Sequence, residues 1–148
     1  MTKEVVNVRN ARKGQYRKVI EQIHLTDKCP FCRENFKYHK KPILKRYHGW
    51  FLTKNSWPYK NALHHLIIIG EKHKENFSEL TQKDFEAAAY LTRWAIKHFQ
   101  IKGGAFAVRF GDTNFTGASV AHIHFQIISP KQNKKTKHSK TVTFPIGG

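Results

Sequence analysis

The segment from Gly117 to Ile128, GASVAHIHFQII, constrains the fold of this chain more than any other. Successive side chains of a strand point to opposite faces, so one face would carry polar side chains and the other apolar ones. The polar face would consist of His122, His124 and Gln126, and the apolar face of Ile123, Phe125 and Ile127. Two imidazoles and an amide, beside a Gly/Ser loop whose N–H groups can hold phosphate, indicate a chemical site. The pattern is equally typical of an edge strand with solvated His and Gln side chains.

The other periodic segments predict an α+β domain built on an antiparallel sheet. Helices are predicted over 16–25 and, with Thr81 as N-cap and Asp84 at the third helical position, from residue 82 through His98. Strands are predicted at 43–47 and 50–54, which form a hairpin, and at 66–69, 105–110 and 120–128. A polar loop is predicted over 111–119.

Charge indicates the kind of partner. The chain has 148 residues, enough for one hydrophobic core, and 27 Lys and Arg against 10 Asp and Glu give a net charge of +17. Such an excess favours nucleic acid, an anionic membrane surface or a polyanionic small molecule. The basic, aperiodic ends predict a mobile arm over 1–14 and a flexible tail over 131–148, around a domain at 15–130. No apolar run approaches the ~20 residues of a membrane span, and no secretion signal is recognisable, so we expect a cytoplasmic protein.

Cys29 and Cys32 are the two cysteines of the chain and stand in the sequence Cys-Pro-Phe-Cys. In a reducing compartment such a pair is either a redox pair or half of a zinc site. Ten histidines are present that could complete a tetrahedral site. The spacing of the cysteines leaves both alternatives open.

Several segments, in the order in which they occur along the chain, resemble the histidine triad family across roughly residues 29 to 130. They are CPFC at 29–32, FLTKNSWP at 51–58, HLIIIGEKH at 65–73 with FSEL at 77–80, and GASVAHIHFQ at 117–126. The resemblance implies an α+β fold of the histidine triad type. This fold is an antiparallel sheet of about five strands with one long helix and a short N-terminal helix. It also implies a homodimer.

The resemblance assigns the nucleophile to His124, which would attack the α-phosphorus of a nucleotide and carry the nucleotidyl group. A neutral imidazole is a good nucleophile near pH 7 when its other nitrogen donates to a carbonyl group. The loop before the strand would bind the phosphate through Gly117, Ala118 and Ser119. Asn55 and Trp57 are candidate nucleoside contacts, although Asn55 is equally well explained as a turn residue and Trp57 by packing. His65 occupies a position where members of the family often have a histidine, and it is equally well explained as a core or surface histidine without a role in the site.

Gln126 departs from the pattern of most hydrolytic members, which carry a third histidine at this position. Glutamine can donate a hydrogen bond to a bound nucleotide but cannot deliver a proton. The His-x-His-x-Gln arrangement is similar to that of the galactose-1-phosphate uridylyltransferase and dinucleoside polyphosphate phosphorylase branches. Transfer to phosphate is therefore favoured over hydrolysis, and hydrolysis remains possible for a good leaving group such as a polyphosphate.

The resemblance also implies a structural zinc ion, held by the two cysteines, the histidine after the buried strand and the first histidine of the signature. These ligands are Cys29, Cys32, His73 and His122. With four N and S donors available, a tetrahedral zinc site is favoured over a redox pair.

Three functional hypotheses follow from these residues. The first is an enzyme that cleaves a dinucleoside polyphosphate, a phosphoramidate or a related small nucleotide. The second is an enzyme that removes adenylate from nucleic acid, which the charge favours, although that branch usually carries a further zinc finger for which this chain has no second set of cysteines. The third is a basic module that binds nucleotides or RNA without turnover, against which the intact His124 and Ser119 argue.

Overall fold

The computed structural model describes residues 4–148, so the first three residues of the predicted N-terminal arm lie outside the described residues. The described chain forms a five-stranded sheet in the order β1-β2-β3-β5-β4, with every neighbouring pair antiparallel. Its strands are β1 (Ile43–Tyr47), β2 (Trp50–Lys54), β3 (Ala62–Gly70), β4 (Ala105–Val108) and β5 (His124–Pro130). The helices are α1 (Gln15–Thr26), α2 (Gln82–Phe99) and the short α3 (Thr113–Thr116). The predicted α+β class, with its long and its short helix, is confirmed.

Helix α2 covers one face of the sheet and forms the main core. Thr81 and Asp84 cap its N-terminus reciprocally, as predicted. Its buried stripe packs against alternate side chains of β2, β3 and β5, because every second residue of a strand points to the same face. The completely buried members of this core include Leu52, Ile68, Leu91 and Phe125. None of the described helices is both long and apolar enough to cross a membrane.

The opposite face of the sheet carries the remaining side chains of the same strands. Phe51, Ile67 and Ile69 form a second apolar cluster there. Helix α1 contributes Ile20 and Ile23 to a third cluster, which includes Val6 and Val120. His124 and Gln126 lie on this face, because they pair with Ile69 and Ile67 in the β3–β5 register.

Strand β5 begins at His124, four residues later than the predicted start at 120. The residues before it are hydrogen-bonded outside the sheet: the N–H of Ala121 donates to the Val5 carbonyl, and that of Ile123 donates to the Lys74 carbonyl at 2.7 Å. His122 therefore precedes the strand, and the predicted single row of three polar side chains is reduced to His124 and Gln126. Strand β4 likewise ends at Val108 rather than at residue 110.

The predicted mobile N-terminal arm instead packs against the loop before β5. Val6 is 1% exposed and forms a bridge with Val120, and the N–H of Asn7 donates to the Ser119 carbonyl at 2.9 Å. The prediction considered only the basic residues of this segment. Its valines bury apolar surface, which outweighs the tendency of a charged terminus to remain free.

The predicted flexible tail also returns to the domain. Residues 131–140 form an exposed turn closed by the N–H of Lys140 on the Lys131 carbonyl. The following residues, 141–148, are called the C-terminal segment here. It reaches the signature loop, where the N–H of Gly147 donates to the Thr116 carbonyl at 3.0 Å. Gly117 has a φ of +75°, and a Cβ there would lie 2.3 Å from the Gly147 carbonyl oxygen, so only glycine permits this contact.

Candidate active site and metal cluster

A cleft opens on the face of the sheet opposite α2, between α1, the loop after β2, the loop before β5 and the C-terminal segment. Its lining includes the apolar side chains Ile20, Ile23, Phe31 and Ile67. It also includes the polar or cationic side chains His124, Gln126, Ser119, Arg109 and Arg12, and the Phe31 ring lies 5.0 Å from the His124 ring. Apolar, cationic and hydrogen-bonding side chains in one cleft suit a ligand that joins a flat ring to an anion.

His124 presents one ring nitrogen to the cleft. Its Nδ1 lies 2.8 Å from the His122 carbonyl oxygen, and this contact requires the proton to be on Nδ1. Nε2 is therefore the unprotonated nitrogen of the neutral ring. Burial and the charge of Arg109 together lower the pKa of His124 to about 4, although the hydrogen bond to the His122 carbonyl opposes them, so the neutral form prevails at pH 7.

The loop before β5 places Gly117, Ala118 and Ser119 along the cleft. The Ser119 hydroxyl is in a short hydrogen bond with the Tyr16 hydroxyl of α1. The backbone N–H of Ala118 donates to the Thr116 hydroxyl at 3.1 Å, which fixes the turn. The N–H of Gly117 donates to the Thr113 carbonyl oxygen at 3.1 Å, so two of the N–H groups predicted to bind phosphate are engaged within the loop.

His65 determines how the Gln126 amide is oriented. The N–H of Tyr59 donates to His65 Nδ1 at 3.1 Å, which leaves the His65 proton on Nε2. Nε2 lies 2.7 Å from Gln126 Oε1 and donates to it. The amide nitrogen of Gln126 is therefore the end turned away from His65. Burial lowers the pKa of His65 to about 4, so it stays a neutral donor.

The loop after β2 brings Asn55 and Trp57 to the cleft. Asn55 Oδ1 accepts a hydrogen bond from the Trp57 N–H at 2.7 Å, the geometry of a turn residue. The Trp57 ring lies 5.7 Å from the Tyr16 ring, so the two aromatic side chains form one wall. The position of Asn55 is thus compatible both with a nucleoside contact and with a simple role in the turn.

Several residues of the cleft were not predicted from the sequence, and Arg109 is the most consequential. Ala107 pairs with Gln126 and Val108 with Phe125, so continuing the register places Arg109 opposite His124. The β4–β5 register could have revealed it, because a residue two positions after Ala107 shares its face. Arg12, Tyr16 and Tyr59 lie far from the signature in sequence, and no local pattern marks them.

The four predicted metal ligands come together at the start of β5. Their ligand atoms all lie within 4.8 Å of one another, and the ligands are Cys29, Cys32, His73 and His122. His122 Nδ1 lies 3.3 Å from Cys29 Sγ and 3.8 Å from Cys32 Sγ, and His73 Nδ1 lies 3.4 Å from Cys32 Sγ.

These distances fit the edges of a zinc tetrahedron. Zinc–sulfur bonds of about 2.3 Å and zinc–nitrogen bonds of about 2.0 Å place S and N about 3.6 Å apart. The tautomer also fits, because His122 Nε2 donates to the Gly70 carbonyl at 2.8 Å and leaves Nδ1 free to coordinate. The cluster can therefore hold a zinc ion.

Comparison with known proteins finds similar solved structures but no similar sequence. No protein-family profile and no curated protein sequence matches the chain. A HIT family hydrolase from Clostridium thermocellum is 20% identical and has a TM-score of 0.54, over 70% of this chain and 90% of that one. A Zn-bound histidine triad family protein from Mycobacterium smegmatis is 16% identical with a TM-score of 0.53, over 74% of this chain and 79% of that one. The diadenosine triphosphate hydrolase of Plasmodium falciparum is 19% identical with a TM-score of 0.51, over 62% of each chain.

These structures superpose on most of this chain with TM-scores above 0.5. At identities of 20% or less the likeness concerns the fold. The chain therefore has the fold of the histidine triad proteins, as the resemblance of its motifs implied. Its similarity to the branches with His-x-His-x-Gln stays a prediction.

Proposed function

We propose that the protein is an enzyme that cleaves nucleotide phosphates and transfers a nucleotidyl group through a covalent bond to His124. The observation that carries the proposal is the hydrogen bond of 2.8 Å between His124 Nδ1 and the His122 carbonyl oxygen. It holds the ring with Nε2 as the nucleophile, on a rigid strand and in a cleft that also contains Ser119 and Gln126. The name of the Plasmodium neighbour, a diadenosine triphosphate hydrolase, adds support for this substrate class.

The first chemical step forms a bond between His124 Nε2 and the α-phosphorus. The P–O bond to the leaving group breaks, and its electron pair stays on the leaving oxygen. Nδ1 keeps its proton, and the His122 carbonyl stabilises the positive charge that develops on the ring. The Gln126 amide and the loop around Ser119 donate hydrogen bonds to the phosphoryl oxygens.

The second step returns the electron pair of the N–P bond to Nε2. An oxygen of inorganic phosphate, or of water that gives up one proton to bulk solvent, attacks the phosphorus, and the nucleotide leaves as a diphosphate or a monophosphate, respectively. Because Gln126 cannot supply a proton, the reaction suits leaving groups that depart as anions. This property favours polyphosphate leaving groups over alkoxides and amines.

We further propose that the cysteine–histidine cluster holds a structural zinc ion. Cys29 and Cys32 precede the sheet, whereas His122 is two residues before the nucleophile. Four ligands complete the coordination, so the ion would connect the N-terminal part of the domain to the start of β5 without an open position for substrate.

A nucleotide panel analysed by mass spectrometry tests the proposal. The intact protein is incubated with each nucleotide, with and without inorganic phosphate, and quenched in alkali, which preserves a phosphorus–nitrogen bond. We expect an added mass of one nucleotidyl group, and products that differ when phosphate is the acceptor. His124→Ala should lose the adduct and reduce turnover by about a thousandfold or more.

His24→Ala is the matched control, because this histidine is exposed on α1 and outside the cleft. It should retain the adduct and the turnover. An adduct that persists in His124→Ala refutes the assignment of the nucleophile.

A further inference from the structure

Two guanidinium groups, those of Arg12 and Arg109, line the cleft beside the nucleophile. None of the described residues that line the cleft is Asp or Glu. Among the described residues neither arginine forms an ion pair. Two cations without an acidic partner beside a nucleophile indicate that the cleft binds more than one negative charge.

Tyr59 brings the two arginines together. Arg109 Nη2 donates to the Tyr59 hydroxyl at 3.1 Å, and the Arg12 guanidinium lies 5.0 Å from the centre of the Tyr59 ring. Arg12 also donates to the Trp57 carbonyl oxygen, which draws it toward the cleft.

The C-terminal segment fixes Arg109 from the other side. Arg109 Nε donates to the Pro145 carbonyl oxygen at 2.9 Å, and its guanidinium lies 3.9 Å from the centre of the Phe144 ring. Carbonyl and aromatic partners orient the side chain without neutralising its charge. The guanidinium thus stays available for an anion in the cleft.

A second cavity adjoins the first and shares three of its walls: Arg12, Tyr59 and Pro145. It adds Lys60 and the residues Asn61, Thr141 and Thr143, and no acidic residue is among its described lining. Arg109 and Arg12 line the first cavity, and Arg12 and Lys60 line the second. The cationic lining therefore continues from one cavity into the other through Arg12.

We infer that Arg109, Arg12 and Lys60 form a binding site for the phosphates beyond the α-phosphate of the substrate. This inference rests on the proposed function and specifies its substrate class, nucleotides whose leaving group is itself a phosphate or polyphosphate. The C-terminal segment is part of this site, because it holds Arg109 and forms one wall of the second cavity.

The cationic site also stabilises the negative charge that the leaving group acquires in the first step. When the P–O bond breaks, the electron pair stays on the leaving phosphate, and Gln126 has no proton to give it. Guanidinium groups stabilise that charge electrostatically and require no proton transfer. A chain with Gln126 in place of an acid therefore needs cations near the nucleophile, and Arg109 and Arg12 line the same cleft as His124.

Binding of inorganic anions tests the site independently of the nucleobase and of enzymatic turnover. Orthophosphate and tripolyphosphate are titrated into the full-length protein by calorimetry at constant ionic strength. We expect tripolyphosphate to bind at least about tenfold more tightly than orthophosphate. Arg109→Gln and Arg12→Gln should each weaken tripolyphosphate binding by about tenfold and orthophosphate binding by less than about twofold.

Arg93→Gln is the matched control, because it removes the same charge from an exposed position on α2, across the sheet. Arg109→Lys tests geometry, since it retains the charge and loses the planar fork. If tripolyphosphate affinity falls no further in Arg109→Gln and Arg12→Gln than in Arg93→Gln, the inference is overturned. If the anion pattern holds while the protein turns over no nucleotide, the site stands and the proposed function fails.

Discussion

Gln126 receives its orientation from His65, whose Nε2 donates to the amide oxygen over 2.7 Å while the N–H of Tyr59 occupies Nδ1. The donor end of Gln126 therefore points away from His65, and under the proposed function His65 is a positioning residue for that donor. His65→Ala removes this constraint, so kcat/KM for nucleotide cleavage should fall by about tenfold. His65→Gln can accept from Tyr59 and donate to Gln126, and it should recover most of the loss. Equal losses in both variants would show that His65 acts in another way.

The same histidine makes stability depend on pH. Burial lowers the pKa of His65 to about 4, and burial together with Lys41 lowers that of His39 to about 4. Between about pH 6.5 and pH 4 the unfolded chain binds protons that these imidazoles do not bind in the folded protein. The free energy of unfolding should therefore decrease as the pH falls through this range, by roughly 3 kcal/mol for His65 alone.

Chemical denaturation at several pH values measures this effect. His65→Gln retains the metal cluster and lacks the titrating ring, so its stability should vary less steeply between pH 6.5 and pH 4. An identical slope in the two proteins would contradict the assignment to His65.

Metal analysis tests the zinc proposal. Protein purified under reducing conditions should contain about one zinc ion per chain, because the four ligands form one tetrahedral site. Cys29→Ser should lower both the zinc content and the Tm, and a strong chelator should lower the Tm of the wild-type protein. His24→Gln, which alters an exposed histidine of α1, should leave the zinc content unchanged. A disulfide between the two cysteines and no metal in protein prepared without reductant would refute the site.

Asp84 connects the N-terminus of α2 to strand β2 and to the segment after β3. It accepts hydrogen bonds from Trp50 Nε1 at 2.9 Å, from Lys74 Nζ at 2.7 Å and from the N–H of Thr81 at 2.7 Å. Burial raises its pKa, but these hydrogen bonds outweigh burial and lower the pKa to about 2. Asp84→Ala should reduce the free energy of unfolding by about 2 to 3 kcal/mol, because it leaves three donors unpaired.

Denaturant unfolding measures the loss, with Glu86→Ala, an exposed acidic residue of the same helix, as control. The Asp84 contribution should be present above about pH 4 and disappear as the pH falls toward 2. If Asp84→Ala and Glu86→Ala are equally stable, these hydrogen bonds do not stabilise the fold.

Exposed aromatic side chains beside the edge strand β4 predict a self-association surface. Phe77, Phe106 and Phe110 are 46%, 46% and 53% exposed, and the Phe77 and Phe110 rings lie 5.2 Å apart. An edge strand beside an apolar patch can pair with its own copy around a twofold axis. We expect a homodimer by light scattering and a monomer for Phe106→Glu.

Leu25→Glu is the control for this prediction, because Leu25 is 85% exposed on α1, outside the aromatic patch. It should leave the dimer intact. A wild-type protein that is monomeric at high concentration would contradict the prediction.

Periodicity predicted the helices, the hairpin and the central strands, since each has an apolar stripe that must be buried. The cysteine and histidine motifs predicted which residues meet in the metal cluster, because their family context supplies the long-range contacts. Local patterns could not predict the start of β5, where the N–H of Ile123 donates to Lys74 and His122 leaves the sheet. They also could not predict the return of the C-terminal segment, because its contacts with Arg109 and Gly117 join residues distant in sequence and follow no local periodicity.

Because side chains alternate across the sheet, the main core and the cleft are built from different residues of the same strands. Leu52, Ile68 and Phe125 project toward α2, whereas their neighbours Ile67 and Gln126 project into the cleft. Libraries confined to the helix side can therefore be screened for thermal tolerance with little effect on the lining of the cleft. Libraries confined to the cleft side can alter ligand binding while the main core stays constant. The protein is in this respect suited to directed evolution, with each face diversified in separate rounds.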